Sequence, residues 1–205
     1  MGENSMDWKA KTLLYYDEDP DRFIQTALQV DMSEIRNRFT KHLPAGAFIL
    51  DFGCGSGRDT KAFLDQGYKV EAIDGSEELC KKASAYTGIP VRNMLFNDLD
   101  ETEKYDGIWA NASILHLPKA EMADALTRIE KALKPNGILF ASFKYGTFEG
   151  IRTERYYTDF DQQTLNEFWE ESSGLKIFDE WITNDTIPGR EELRWINILA
   201  RREQD

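Results

Sequence analysis

The stretch Phe48–Thr60, FILDFGCGSGRDT, decides how the chain is read. An apolar run of strand character passes directly into a loop with glycines at 53, 55 and 57, and then into a helical pattern. Glycine lets a backbone adopt positive φ and come close to a ligand. The free N–H groups that open the following helix point to the same place. The spacing is G-x-G-x-G. A dinucleotide fingerprint, G-x-G-x-x-G, would need its third glycine at 58, where Arg58 stands. A phosphate-binding P-loop is excluded, because no Gly-Lys-Ser/Thr follows. The loop is opened by an acid instead, Asp51 at the end of the apolar run.

Outward from this unit the chain alternates. Residues 68–74, 91–96, 105–112 and 138–145 read as strands, and RDTKAFLDQG, SEELCKKASAYTG and KAEMADALTRIEKALKPNG as the helices between them. Ser76, Glu77 and Glu78 are good first-turn residues, and Gly67 and Gly88 are good helix terminators. This order predicts a parallel sheet covered by helices on both faces, with right-handed crossovers. Before it, apolar residues from Phe23 to Phe39 recur at three- and four-residue steps, which predicts a helix from about Asp21 to Leu43. After it, DFDQQTLNEFWEES reads as a helix, and LKIFDEWIT and LRWINILARR as strands joined by a loop containing Pro188-Gly189. So short a connection favours an antiparallel pair. A single domain over 1–205 is expected: a helical cap over 1–45, a core over 46–144, and a substrate-side loop, helix and hairpin over 145–205.

The chain has 205 residues, 25 basic against 37 acidic, and a net charge of −12. Such a balance repels nucleic-acid phosphates, so a nucleic-acid partner is not expected. No apolar run approaches the roughly 18 residues of a membrane helix, and the opening residues lack the apolar core of a signal peptide. No membrane association and a cytoplasmic location are expected. The two cysteines, Cys54 and Cys80, give neither a disulfide framework nor metal spacing. No metal is expected, and the protein is read as a monomer or homodimer.

Loops at the carboxyl ends of parallel strands are where such sheets bind ligands. Asp74 ends the second strand 17 residues beyond Gly57, close to the roughly 20 expected of a ribose-binding acid. Asp98, after the third strand, is placed to accept from an adenine amino group. Taken in order, ILDFGCGSGRD, VEAIDGSEEL, FNDLD, YDGIWANASILHLP and LKPNGILFASF resemble the motifs of class I S-adenosylmethionine-dependent methyltransferases. The resemblance implies a Rossmann-like, doubly wound seven-stranded sheet in the order 3-2-1-4-5-7-6 with strand 7 antiparallel. It implies S-adenosylmethionine as cofactor and S-adenosylhomocysteine as product. It would set Asp51, Gly53, Cys54, Gly55 and Gly57 around the methionine portion, Asp74 with Gly75 and Ser76 at the ribose, and Asp98 with Leu99 at the adenine. Asn111 and Ala112 would form the floor below the sulfonium. The N-terminal YYDEDPDRF resembles a segment of small tellurite-resistance-type methyltransferases, which would make Tyr16 part of a lid.

Several residues carry two readings. Asp51 either holds the cofactor or caps the next turn. Arg58 binds the cofactor carboxylate or an anionic substrate, or pairs with Asp59 or Asp65. His116, after the fourth strand, is a general base or a histidine that positions its loop; Tyr16 is the other catalytic candidate. Beyond the fifth strand, FKYGTFEGIRTERYYTDF is a lid for an anionic or planar substrate, with Lys144, Arg152, Arg155 and Tyr157 as its binding residues, or a surface loop. The expected activity is methyl transfer to a small-molecule or oxyanion acceptor. The competitors are a wobble-base tRNA methyltransferase, a non-catalytic S-adenosylmethionine binder and, weakest, a nicotinamide oxidoreductase.

Overall fold

The computed structural model describes residues 5–187, 189–190 and 192–204, with side chains from Trp8 onward. Pro188, read above as part of the hairpin loop, and the opening residues 1–4 lie outside the described residues.

Seven strands form one sheet. They are β1 (Phe48–Phe52), β2 (Lys69–Asp74), β3 (Val91–Asn93), β4 (Tyr105–Ala110), β5 (Leu133–Lys144), β8 (Lys176–Asn184) and β9 (Arg194–Arg201), in the order β3-β2-β1-β4-β5-β9-β8. β3, β2, β1, β4 and β5 run parallel, and β9 enters antiparallel between β5 and β8. This is the expected order, with β8 and β9 as sixth and seventh strands of the sheet. Helices α4 (Arg58–Asp65), α5 (Glu77–Thr87) and α6 (Lys119–Ala132) are the crossovers, and α7 (Gln162–Ser172) leads to β8.

Period-2 alternation along the strands sorts the core into two layers. Leu50 and Phe52 of β1, Ile108 and Ala110 of β4, and Leu139, Ala141 and Phe143 of β5 pack with Met122, Leu126 and Ile129 of α6 and Leu165 of α7. On the other face, Ile49, Trp109, Phe140 and Leu199 meet Phe63 of α4 and Phe39. Trp109 and Phe140 stack at 4.1 Å between centroids.

The N-terminal region departs from the expected single helix. It forms α1 (Ser5–Glu18), α2 (Pro20–Leu28) and α3 (Ser33–Thr40). The break before α3 has a local cause: the Asp31 carboxylate accepts from the Ser33 backbone N–H at 2.8 Å, a bond that competes with helix continuation. α1 falls inside the expected helical cap but carries no periodic signal of its own, because its apolar residues do not gather on one face. It is held instead by partners distant in sequence. Ser76 Oγ donates to Asp17 at 2.5 Å, the Tyr156 N–H donates to Thr12 Oγ1 at 3.0 Å, and the Trp8 and Tyr156 rings lie 5.1 Å apart.

Two boundaries also shift. α6 ends at Ala132 rather than at Pro135-Asn136-Gly137, and β5 begins at Leu133 with a bulge that steps the pairing from Tyr105–Leu133 to Gly107–Ile138. The third strand stops at Asn93, and Phe96–Asp98 forms a single 3-10 turn. The segment beyond β5 is a small antiparallel hairpin, β6 (Glu149–Arg152) and β7 (Arg155–Thr158).

Candidate active site

A cavity of about 920 Å³ opens at the carboxyl ends of β1, β2, β4 and β5, roofed by α1 and α2 and closed on one side by β7 and the β8–β9 hairpin. Its size falls at the upper end of the range for pockets that enclose a small molecule, about 300–1,000 Å³.

The glycine loop forms one wall. Gly53, Gly55 and Gly57 all have positive φ. A Cβ on Gly53 would lie 2.5 Å from Ser113 Cβ, and one on Gly55 would lie 3.0 Å from the Phe23 ring, so α2 rests directly on the loop. Gly57 does not face the cavity; a Cβ there would strike Thr87 of α5 at 2.7 Å. Cys54 lines the wall as a buried thiol whose pKa is pushed up by burial.

Two acids face this wall. Asp74 accepts from the Gly55 N–H at 2.8 Å and the Ser76 N–H at 2.9 Å. Burial raises its pKa, against these bonds, which lower it. Asp51, 2% exposed, accepts from Thr60 Oγ1 at 2.5 Å. Burial, followed by the neighbouring Asp59 carboxylate, pushes its pKa up to about 7. The structure thus gathers Asp51, Gly53, Cys54, Gly55, Asp74 and Gly75 at one end of the cavity, with Arg58, Asn111, Ala112 and Tyr16 around them.

Other expected residues stand elsewhere. Ser76 is fully buried outside the cavity and caps α5 by accepting from the Leu79 N–H. The 3-10 turn after β3 directs Asp98 to solvent and Leu99 into the core; Phe96 and Asn97, not these two, line the cavity. Arg58 lines the cavity but is bound to Asp59 through both Nε and Nη2, at 3.1 and 2.7 Å, and to the Ala27 carbonyl. Arg152 stands outside and is paired with Asp159 at 2.9 and 3.1 Å.

Asp59 is the residue that sequence reading missed as a centre. It is 5% exposed, and its oxygens accept from Arg36, Arg58, Trp109 Nε1 at 3.1 Å and Asn111 Nδ2 at 3.3 Å. Burial opposes its ionisation, but the two guanidinium groups prevail and hold its pKa below the usual carboxylate range. It ties α3, α4 and β4 together beneath the cavity. Asn111 continues the network by accepting from Ser142 Oγ at 3.0 Å, and the Ser142 hydroxyl accepts from the Ala112 N–H at 2.8 Å. Ala112 carries φ +50°, an uncommon backbone setting for a residue with a side chain.

His116 is engaged at both nitrogens. Nδ1 lies 2.6 Å from the Tyr156 carbonyl, which can only accept, so Nδ1 carries the proton and Nε2 accepts from Tyr16 Oη at 2.9 Å. Burial drives its pKa down to about 3, so the ring is neutral at physiological pH. Tyr16 accepts in turn from Arg155 at 3.2 Å, and burial raises its own pKa.

The opposite end of the cavity is basic and aromatic: Lys144, Arg155, Tyr157, Arg190 and Trp195. Trp195 and Asn197 were also missed; they face Lys144 and Ser142 across the β5–β9 pair, a register that no local pattern reveals.

Comparison with known proteins agrees with this geometry. Residues 49–137 match a methyltransferase domain family. Over 124 residues the chain is 32% identical to N-terminal Xaa-Pro-Lys N-methyltransferase 1 of Bos taurus, covering 54% of this chain and 56% of that protein. Over 112 residues it is 37% identical to the ubiquinone biosynthesis O-methyltransferase of Xylella fastidiosa (strain 9a5c), covering 50% and 44%. The chain therefore spans about half the length of the curated relatives it matches. The structure of Burkholderia thailandensis 1,6-didemethyltoxoflavin-N1-methyltransferase, with 1,6-didemethyltoxoflavin and S-adenosylhomocysteine bound, superposes with a TM-score of 0.74 at 25% identity over 93% of this chain and 85% of that one.

Proposed function

We propose that the chain, whose residues 49–137 match a methyltransferase domain family, transfers a methyl group from S-adenosylmethionine to a small-molecule acceptor in this cavity. When bound, S-adenosylmethionine supplies an electrophilic methyl on a cationic sulfonium.

The observation that carries the reading is the pairing of the glycine loop with two acids, Asp51 buried and Asp74 half-buried. Asp51 and Asp74 give the loop end a negative field suited to a ligand with an ammonium and a sulfonium. Asp74 accepts from backbone N–H groups of the loop and of the turn after β2, and a carboxylate with about four lone-pair sites keeps capacity for ribose hydroxyls. Met94 and Phe96 supply the apolar side for an adenine. The neighbour that holds S-adenosylhomocysteine supports the same assignment.

The chain's contribution to the transfer is to bind, align and exclude water. α1 and α2 roof the cavity, and Tyr16 is the part of that roof fixed from both sides, by His116 and Arg155. With both nitrogens engaged and its pKa near 3, His116 acts as a positioning residue for Tyr16 and not as a general base. A small molecule is favoured over a cationic peptide, because an N-terminal Xaa-Pro-Lys segment carries positive charge and the free end of this cavity already holds Lys144, Arg155 and Arg190. The charge of −12 weighs against tRNA.

The test is incubation with methyl-labelled S-adenosylmethionine and, in separate reactions, a small-metabolite extract, total tRNA and a protein extract. Label is expected in the metabolite fraction. Label confined to tRNA or protein, or none above the no-enzyme control, would overturn the proposal.

A further inference from the structure

The acceptor end of the cavity holds charge that the protein does not balance. Lys144 Nζ lies 4.6 Å above the Tyr157 ring centroid, the Arg152 guanidinium 4.7 Å from it and the Arg155 guanidinium 5.2 Å from it. Three cations thus converge on one ring that is itself 2% exposed. Only Arg152 is neutralised, by Asp159. Among the described residues neither Lys144 nor Arg155 has a carboxylate within ion-pair distance. Arg155 Nε is buried and has no hydrogen-bond partner.

Placing like charges together in a half-buried site is costly unless an anion joins them. Glu154 also lines the cavity, but among the described residues it makes no ion pair with either cation. Asp159 is taken by Arg152, and Asp185 accepts from the Ile187 N–H and Trp195 Nε1. Burial and the nearby Arg152 and Arg155 guanidinium groups lower the Lys144 pKa, and the Asp159 carboxylate only partly opposes them. The walls around the two cations are aromatic: Tyr15 lies 4.0 Å under the Arg155 guanidinium, and Trp195 stands opposite Lys144 across the sheet. A cavity of about 920 Å³ is far larger than a bare inorganic oxyanion needs beside a cofactor.

We infer that the methyl acceptor is a small aromatic acid whose carboxylate is held between Lys144 and Arg155. Arg190, on the β8–β9 hairpin at the mouth, adds to the field that draws the acid in. The inference rests on the cavity being the S-adenosylmethionine site proposed above.

Calorimetry on the full chain saturated with S-adenosylhomocysteine tests it. The probes are benzoate, 4-hydroxybenzoate and indole-3-acetate, each beside its carboxamide, with inorganic phosphate as the bare oxyanion. At least one acid is expected to bind about ten- to a hundredfold more tightly than its amide, the worth of a charge-assisted contact. Added salt should narrow the gap. Lys144→Met should remove most of it, and Lys144→Arg should restore it. Equal binding of acid and amide, an unchanged preference in Lys144→Met, phosphate binding more tightly than every aromatic acid, or no acid binding at all would overturn the inference. Failure of S-adenosylhomocysteine itself to bind would instead remove the reading on which it rests.

Discussion

Asp59→Asn tests the buried ion cluster in the cavity wall. The side chain is nearly isosteric, so the change isolates charge and acceptor capacity. Asp59 is 5% exposed, while the side chains of its partners Arg36 and Arg58 are 12% and 16% exposed. Removing one member of a buried ion pair strands the other in a low-dielectric site, at a cost of about 3–5 kcal/mol. Here two guanidinium groups lose one carboxylate, and the amide presents a donor toward neighbours that are all donors. For a chain of 205 residues, 1 kcal/mol shifts Tm by about 2–4 °C, which places the expected loss at about 6–20 °C. Thermal scans monitored by circular dichroism, with Asp65→Asn as control, measure it. The Asp65 side chain is 62% exposed and pairs with Lys61 on the surface, so the control should shift by less than about 0.5 kcal/mol. An Asp59→Asn protein within about 1 kcal/mol of wild type would refute the view of Asp59 as the centre joining α3, α4 and β4.

Three further outcomes follow from the same structure. Because burial holds the Asp51 pKa near 7 and a cationic ligand favours the carboxylate, S-adenosylmethionine should bind more tightly as pH rises to 7 and weaken by up to about tenfold per unit below it; titrations from pH 5.5 to 8.5 check this, and Asp51→Asn should flatten the profile. His116 has a folded pKa near 3 against an ordinary 6.5, so the unfolded chain takes up the proton first and stability is lost as pH falls below 6.5, by about 1.4 kcal/mol per unit; urea melts of wild type and His116→Gln should diverge only below that pH, and parallel curves would contradict it. Gly53→Ala should abolish cofactor binding, since φ is +84° and Ser113 lies 2.5 Å from the new Cβ, whereas Gly67→Ala, at φ +86° with nothing within 4 Å, should cost only the left-handed strain of about 1–2 kcal/mol and leave binding intact; equal effects at the two positions would contradict this.

The parts of the fold legible in the sequence are those encoded locally. Phe48–Phe52 turning at Gly53, the alternation of strand and helix, and the acids closing β1 and β2 rest on period, glycine placement and capping, which short windows contain. Asp98 failed because one 3-10 turn, too short to carry a periodic signal, reverses which of Phe96 and Asp98 points inward. The bounds of α1 were not legible because it is held by Ser76 and Tyr156, distant in sequence, rather than by an apolar stripe of its own. Asp59 was legible as a partner of Arg58, but Arg36, Trp109 and Asn111 reach it from other elements. Trp195 and Asn197 enter the cavity only because β9 inserts beside β5. Long-range pairing was the missing information in each of these last cases.

The most direct test of the central claim is calorimetric titration of S-adenosylhomocysteine into the wild-type chain and into Asp74→Asn. Asp74 sits between the Gly55 and Ser76 N–H groups, and an amide there would turn a donor toward donors while losing the charge that faces the cavity. One-to-one binding to the wild type, weakened at least about tenfold in the variant, is the predicted result. No binding to the wild type, or equal binding to both proteins, would contradict the assignment of this cavity to S-adenosylmethionine.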